Sequence, residues 1–152
     1  DNVNLAVGQG DLLVTPLQLA RAYAALATGM APPAPHVLAG SGPAAASVPL
    51  GIDEAARQAV LAGLRGAVAD HDGTASGAFA GFPLDRVPVE GKTGTAEVVG
   101  KADTSLFVAV APADHPQFVV AAVVEEAGFG SAVAAPIVRR VLEVLTGVVP
   151  PP

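Results

Sequence analysis

The stretch Val89-Glu90-Gly91-Lys92-Thr93-Gly94-Thr95-Ala96-Glu97 decides how this chain folds. A lone lysine stands between two glycines, two threonine hydroxyls flank it, and an apolar β-type segment leads into it. Glycine inside a strand weakens it and commonly marks a place where something approaches the backbone closely. Gly91 and Gly94 are therefore expected to leave the strand bare on either side of Lys92. If the strand lies at a sheet edge, its unpaired N–H and C=O groups face a cleft, and an extended peptide can add alongside. Lys92, Thr93 and Thr95 then offer an ammonium and two hydroxyls, a cradle suited to a carboxylate. The Thr95 N–H can point at a developing oxyanion.

Gly91-Lys92-Thr93 is also a piece of the phosphate-binding loop, which requires a further glycine five positions earlier. That position holds Arg86, and Pro88 interrupts the run. The residues after Gly94 do not read as a helix, so no helix N-terminus would receive phosphates. Both points argue against a nucleotide site.

Outward from this strand, residues 105–111 and 117–125 are continuous apolar runs, expected to be strands covered on both faces. The first strand is expected over 87–97. The short turn Pro112-Ala113-Asp114-His115-Pro116 makes the second and third strands an antiparallel hairpin. Gly128-Phe129-Gly130-Ser131 reads as a flexible loop. A last helix follows to about Leu145, with Pro136 in its first turn, where proline is tolerated. Arg139-Arg140 on it read as a solvated face.

Upstream, Thr15-Pro16-Leu17-Gln18 is a helix start: Thr15 caps, Pro16 needs no N–H donor, and Gln18 completes a capping box. Leu19, Tyr23 and Leu26 follow on one face, and Gly29 supplies a stop. Asp53 caps a second helix with Val60, Leu64 and Val68 at four-residue spacing, ended by Asp70-His71-Asp72-Gly73. Between the two helices, residues 30–50 carry five prolines among Gly and Ser and read as a surface connector. About three helices around a three-stranded antiparallel sheet make an α+β fold. Three strands leave at least one sheet edge unpaired, so more strands are expected in the complete fold.

Composition sets outer limits. The 152 residues fit one domain or a large piece of one. A net charge of −6, with only 8 scattered Lys and Arg, argues against nucleic acid, which needs clustered cations. With 4% aromatics and no Trp, a base-stacking surface is not expected. The absence of Cys removes disulfides and thiolate metal sites. Mean hydropathy is high at +0.52, yet no apolar run approaches the ~20 residues of a spanning helix.

Taken together, Gly8-Gln9-Gly10 leading to Thr15-Pro16-Leu17-Gln18, the Gly73-Thr74-Ala75 turn, the Lys92-Thr93-Gly94-Thr95-Ala96-Glu97 strand and Ala134-Ala135-Pro136 resemble the C-terminal part of the transpeptidase domain of class B penicillin-binding proteins. The resemblance runs from about Gly8 to Leu145, and residues 1–152 would be the C-terminal portion of such a domain. It implies the serine transpeptidase/β-lactamase-like fold, with a five-stranded antiparallel sheet between helices whose first two strands come from sequence outside this chain. The implied activity is peptidoglycan cross-linking by a D,D-transpeptidase. A serine attacks a stem peptide ending in D-Ala-D-Ala, D-Ala leaves, and the acyl group passes to a neighbouring amine; β-lactams acylate the same serine.

By resemblance Lys92 and Thr95 are catalytic. Lys92 assists proton movement through a Ser-x-Asn serine, and the Thr95 N–H forms half of the oxyanion hole. Thr93, Gly94 and Thr95 bind the substrate. No cofactor and no metal is implied. The family's Ser-x-x-Lys and Ser-x-Asn are absent from these residues. The serines Ser41, Ser47, Ser76, Ser105 and Ser131 have no lysine three positions on, and Asn2 and Asn4 have no nearby serine. The nucleophile is therefore expected on a companion N-terminal polypeptide, and this chain alone is expected to be inactive. The resemblance further implies a parent anchored in the bacterial cell membrane with this domain on the extracytoplasmic face. The alternatives on the same fold are a non-catalytic penicillin-binding sensor or scaffold, and a serine β-lactamase.

Other chemistry-bearing residues read as solvated polar groups. His36, His71 and His115 sit in turns or linkers without a Gly-x-Ser-x-Gly elbow. Asp70, His71 and Asp72 are consecutive and point different ways, which does not suit a metal. Glu125-Glu126 sit at a strand end.

Overall fold

The computed structural model describes residues 3, 6, 8–10, 12–38 and 48–148. Local chemistry starts the two leading helices. At α1 (Pro16–Thr28) the Thr15 hydroxyl accepts from the Gln18 N–H at 3.2 Å, and Gln18 Oε1 accepts from the Thr15 N–H at 2.8 Å. Gly29 ends the helix with a φ of 70°, a left-handed conformation that glycine adopts without strain, and its N–H donates to the Ala25 carbonyl at 2.8 Å. At α2 (Glu54–Ala69), Asp53 Oδ1 accepts from the Ala56 N–H at 2.8 Å. The buried stripe of α2 is Leu61, Leu64 and Val68, and Val60, expected inside, is exposed. Strict four-residue spacing drifts by about 40° per step on a helix, so Leu61 and not Val60 falls on the inward face.

Arg57 ties the two helices together. Its guanidinium donates to the last carbonyls of α1, Leu26 and Ala27, at 2.9 and 3.0 Å. It also pairs with Glu54 at 2.7 Å, and that hydrogen bond, with one from Gln58, holds the Glu54 carboxyl down at about 2. The predicted connector over 30–50 falls partly outside the described residues, at 39–47. Its described ends are stapled: Ala31 N–H donates to the Val48 carbonyl at 2.7 Å and Leu50 N–H to the Gly29 carbonyl at 3.0 Å. The tail Pro150-Pro151-Pro152 also lies outside the described residues.

Three strands follow, β1 (Glu90–Ala96), β2 (Thr104–Ala111) and β3 (Phe118–Val124), antiparallel in the order β1-β2-β3. The first starts later than the expected residue 87. Pro88 has no N–H for a ladder, and its carbonyl instead accepts from the Ala113 N–H at 2.7 Å, while Val87 N–H turns back to the Pro83 carbonyl. Val87 and Val89 are still buried. Of the two apolar runs only β2 is covered on both faces. β3 is half-buried nearly throughout because it forms the second sheet edge.

Side chains alternate across β2. Phe107, Ala109 and Ala111 join Val68, Phe79 and the inner face of α3 (Ala134–Leu145), notably Val138 and Leu142, in the main core. The Phe107 ring packs on Phe79 with centroids 5.8 Å apart. Leu106, Val108 and Val110 face the other way, toward the side on which α1 packs.

Two contacts run against the sequence-based expectations. The 128–131 loop lies fitted against the sheet. A Cβ on Gly130 would come within 2.5 Å of the Gly94 carbonyl oxygen and collide with that of Leu106, so only glycine lets this turn lie on the sheet. Beside it, fully buried Ser105 donates to the Phe129 carbonyl and accepts from the Ala134 N–H, each at 3.1 Å. A β2 hydroxyl thereby caps α3, whose own N-cap residue, Val133, has no side chain able to do so. Pro136 sits in the first turn, as expected. Arg139, expected in solvent, is three-quarters covered: it donates to the Ala78 and Ala80 carbonyls at 2.9 Å and pairs with buried Glu143. Arg140 stays in solvent while reaching the same carboxylate.

Candidate active site

β1 is an open sheet edge, and the geometry of its backbone follows from the ladder. In an antiparallel pair each residue directs its N–H and C=O to the same side, alternately toward and away from the partner. The Thr93 carbonyl accepts from Lys92 Nζ at 2.7 Å, and the Thr95 carbonyl from Gln9 Nε2 at a long 3.5 Å, both from outside the sheet. Thr93 and Thr95 therefore present N–H and C=O at the edge, while Lys92 and Gly94 direct theirs to Val108 and Leu106 of β2. Among the described residues the two outward carbonyls are met by side-chain groups and not by a strand, and an incoming strand can displace them.

The glycines do different work from that expected. Gly91 does not leave room for a ligand. A Cβ there would lie 2.6 Å from Phe107 Cζ and 3.0 Å from Val68 Cγ2, so the core itself fills the space. At Gly94 a Cβ would meet Leu106 Cβ at 3.2 Å, and the Gly130 turn lies against its backbone. Both glycines let β1 sit close to what lies beneath it, and so fix the height of the Lys92, Thr93 and Thr95 backbone.

A cleft of ≈ 570 Å³ opens beside the strand. Leu19 and Tyr23 of α1 form one wall, Leu106 and Val108 the floor, and residues 92–96 of β1 the other wall. Burial pushes the Tyr23 phenol up from its ordinary value of 10.0. Lys92 is exposed at the rim, and Thr93, Gly94 and Thr95 are half-buried. At the inner end of β1, Glu90 is buried with Oε2 unpaired. Burial raises its carboxyl above 4.5; nearby Arg65 opposes this and Asp114 adds to it.

Lys92, Thr93, Gly94 and Thr95 thus lie together on one strand lining one cleft. Two further residues reach them that the sequence did not assign to the site. Gln9, from the Gly8-Gln9-Gly10 turn, touches Thr95, and Thr74, from the Gly73-Thr74-Ala75 turn, hydrogen-bonds to the Thr93 hydroxyl at 3.1 Å. The motifs marked those turns but carried no sign that their side chains converge on β1. His36, His71, His115, Asp70, Asp72 and Glu125 are exposed, and Glu126 pairs with Lys101 at 3.4 Å. Among the described residues no three metal-ligating side chains come together, and no helix is long and apolar enough to cross a membrane.

Residues 2–143 match the profile of the penicillin binding protein transpeptidase domain. The chain is 31% identical over 167 residues to the peptidoglycan D,D-transpeptidase MrdA of Haemophilus influenzae, covering 94% of this chain and 25% of that protein. It superposes on Pseudomonas aeruginosa PBP2 in complex with WCK 5153 with a TM-score of 0.79 at 36% identity, covering 93% of this chain and 31% of that one. Against Helicobacter pylori PBP2 in its complex with MreC the TM-score is 0.80 at 25% identity, over 97% and 28% of the two chains. Against the imipenem acyl-enzyme of penicillin-binding protein A from M. tuberculosis it is 0.71 at 28% identity, over 94% and 33%. The chain spans a quarter of the curated relative and about a third of the solved chains.

Proposed function

The chain belongs to the penicillin-binding protein transpeptidase family, as the C-terminal part of the domain, and on that premise we propose that it is the substrate-binding wall of a peptidoglycan D,D-transpeptidase. The nucleophilic serine comes from a companion segment carrying Ser-x-x-Lys and Ser-x-Asn. The observation that carries this reading is the open β1 edge, with the outward carbonyls of Thr93 and Thr95 beside an ammonium and two hydroxyls.

A stem peptide ending in D-Ala-D-Ala adds antiparallel to β1, held by the outward backbone groups of Thr93 and Thr95. Lys92 and the hydroxyls of Thr93 and Thr95 take its terminal carboxylate, and Gly94, seated close over Leu106, sets the height of the strand that receives it. When the serine attacks, the carbonyl carbon becomes tetrahedral and its oxygen gains negative charge. The Thr95 N–H points outward at that oxygen, and the nucleophile's own N–H completes the pair. The proton that the attacking serine gives up is passed through the Ser-x-Asn serine, which Lys92 holds by a hydrogen bond, to the nitrogen of D-Ala, and the C–N bond breaks. The acyl group then passes to an amine of a neighbouring stem. β-Lactams carry the same carboxylate and acylate the same serine. The companion segment also supplies strands for the open β3 edge. The parent is anchored in the bacterial membrane by a segment outside these residues, with this domain on the extracytoplasmic face.

Replacing Lys92 with Ala in the full-length protein is expected to slow acylation by a fluorescent penicillin at least ~100-fold, the scale of losing one transition-state contact. Unchanged acylation would remove Lys92 from the site.

A further inference from the structure

Thr74 stands outside every role described above, yet its hydroxyl lies 3.1 Å from that of Thr93. Its mounting is rigid. Gly73 sits so close to the end of α2 that a Cβ there would fall 2.7 Å from the Ala67 carbonyl oxygen and collide with that of Gly66. Ala75 on the other side is fully buried, and its N–H donates to the Ala67 carbonyl at 2.8 Å. The turn is clamped to the helix at both neighbours, so the Thr74 side chain arrives at β1 from a fixed platform.

We infer that Thr74 is a positioning residue for the carboxylate cradle, holding the Thr93 hydroxyl in the orientation that binds the terminal carboxylate of a peptide or β-lactam. This rests on the transpeptidase reading. A threonine hydroxyl has one proton and two acceptor lone pairs, and a carboxylate only accepts. With a carboxylate in place, Thr93 spends its single proton on the ligand. Its oxygen then accepts from Thr74, so the pair stays bonded. Thr74 holds the Thr93 rotamer in both states and strengthens its donor through the chain Thr74 O–H to Thr93 O–H to carboxylate.

The test uses the full-length protein and time-resolved acylation by benzylpenicillin and by its methyl ester, which has no carboxylate. Thr74→Val keeps the shape and removes the hydroxyl. It is expected to raise the half-saturating benzylpenicillin concentration about 3- to 10-fold, the worth of one net hydrogen bond, with the limiting rate within about 2-fold. Thr74→Ser should restore the wild-type value, and the ester should not respond to either change. An equal loss with the ester, a fall confined to the limiting rate, or no change at all would overturn the assignment while leaving the transpeptidase reading intact. Failure of the wild-type protein to acylate would overturn that reading and this one with it.

Discussion

Replacing Gly91 with alanine tests how the core sets the height of the active strand. The added methyl would stand 2.6 Å from Phe107 Cζ and 3.0 Å from Val68 Cγ2. Carbon atoms rest at about 3.5–4.0 Å, so the shortfall is roughly 1 Å against the ring and about 0.5 Å against the valine. Phe107 cannot retreat: it is 1% exposed and its ring abuts Phe79. Among the described residues no strand pairs along the outer edge of β1, so the strand is what gives way. Overpacking of this kind costs about 1–3 kcal/mol, and an outward shift near 1 Å carries Lys92 and Thr95 with it, at a cost of up to ~100-fold in rate. Chemical denaturation and penicillin acylation of the full-length protein read the two effects. A double-mutant cycle with Phe107→Leu, which removes the clashing Cζ, should recover at least about 1 kcal/mol relative to additivity. A Gly91→Ala protein with wild-type stability and acylation, or strict additivity in the cycle, would refute the reasoning.

Ser105→Ala deletes a buried hydroxyl that satisfies the Phe129 carbonyl and caps α3 at Ala134. A loss of about 1–3 kcal/mol is expected by denaturation, and a change under about 0.5 kcal/mol would mean the cap is redundant. Glu90→Gln concerns pH. The folded state raises the Glu90 carboxyl above 4.5, chiefly by burial, so the fold favours its protonated form. Its stabilising contribution is fully present below pH 4.5 and is lost as pH rises through the folded-state value. Glu90→Gln should therefore raise the unfolding temperature at pH 7.5, and the gain should shrink as pH falls through the folded-state value and be gone by about pH 4.5. A gain that grows toward acid would reverse the assignment.

Whatever depends on neighbours in sequence was legible. The Thr15–Gln18 capping box, the Asp53 cap, the Gly29 stop and the hairpin of β2 and β3 each need only residues within a turn of one another. The Lys92–Thr95 edge was readable because one strand carries all of its groups. The remainder depends on partners distant along the chain. Ser105 caps a helix 29 positions away, Thr74 meets Thr93 across 19, and Arg139 holds the Ala78 carbonyl across 61. Gly91 was misread for the same reason. A glycine announces a close approach without naming what approaches, and here it is Phe107 and Val68. Arg139 looked solvated because a charged pair on a helix usually is, and the buried Glu143 that accepts it sits one turn on.

The most direct measurement is peptide mapping by mass spectrometry of the full-length protein after labelling with a fluorescent penicillin. The account predicts one adduct, on the serine of a Ser-x-x-Lys sequence outside residues 1–152, formed at least ~100-fold more slowly when Lys92 is alanine. An adduct on a serine within residues 1–152, or labelling indifferent to Lys92, would contradict it.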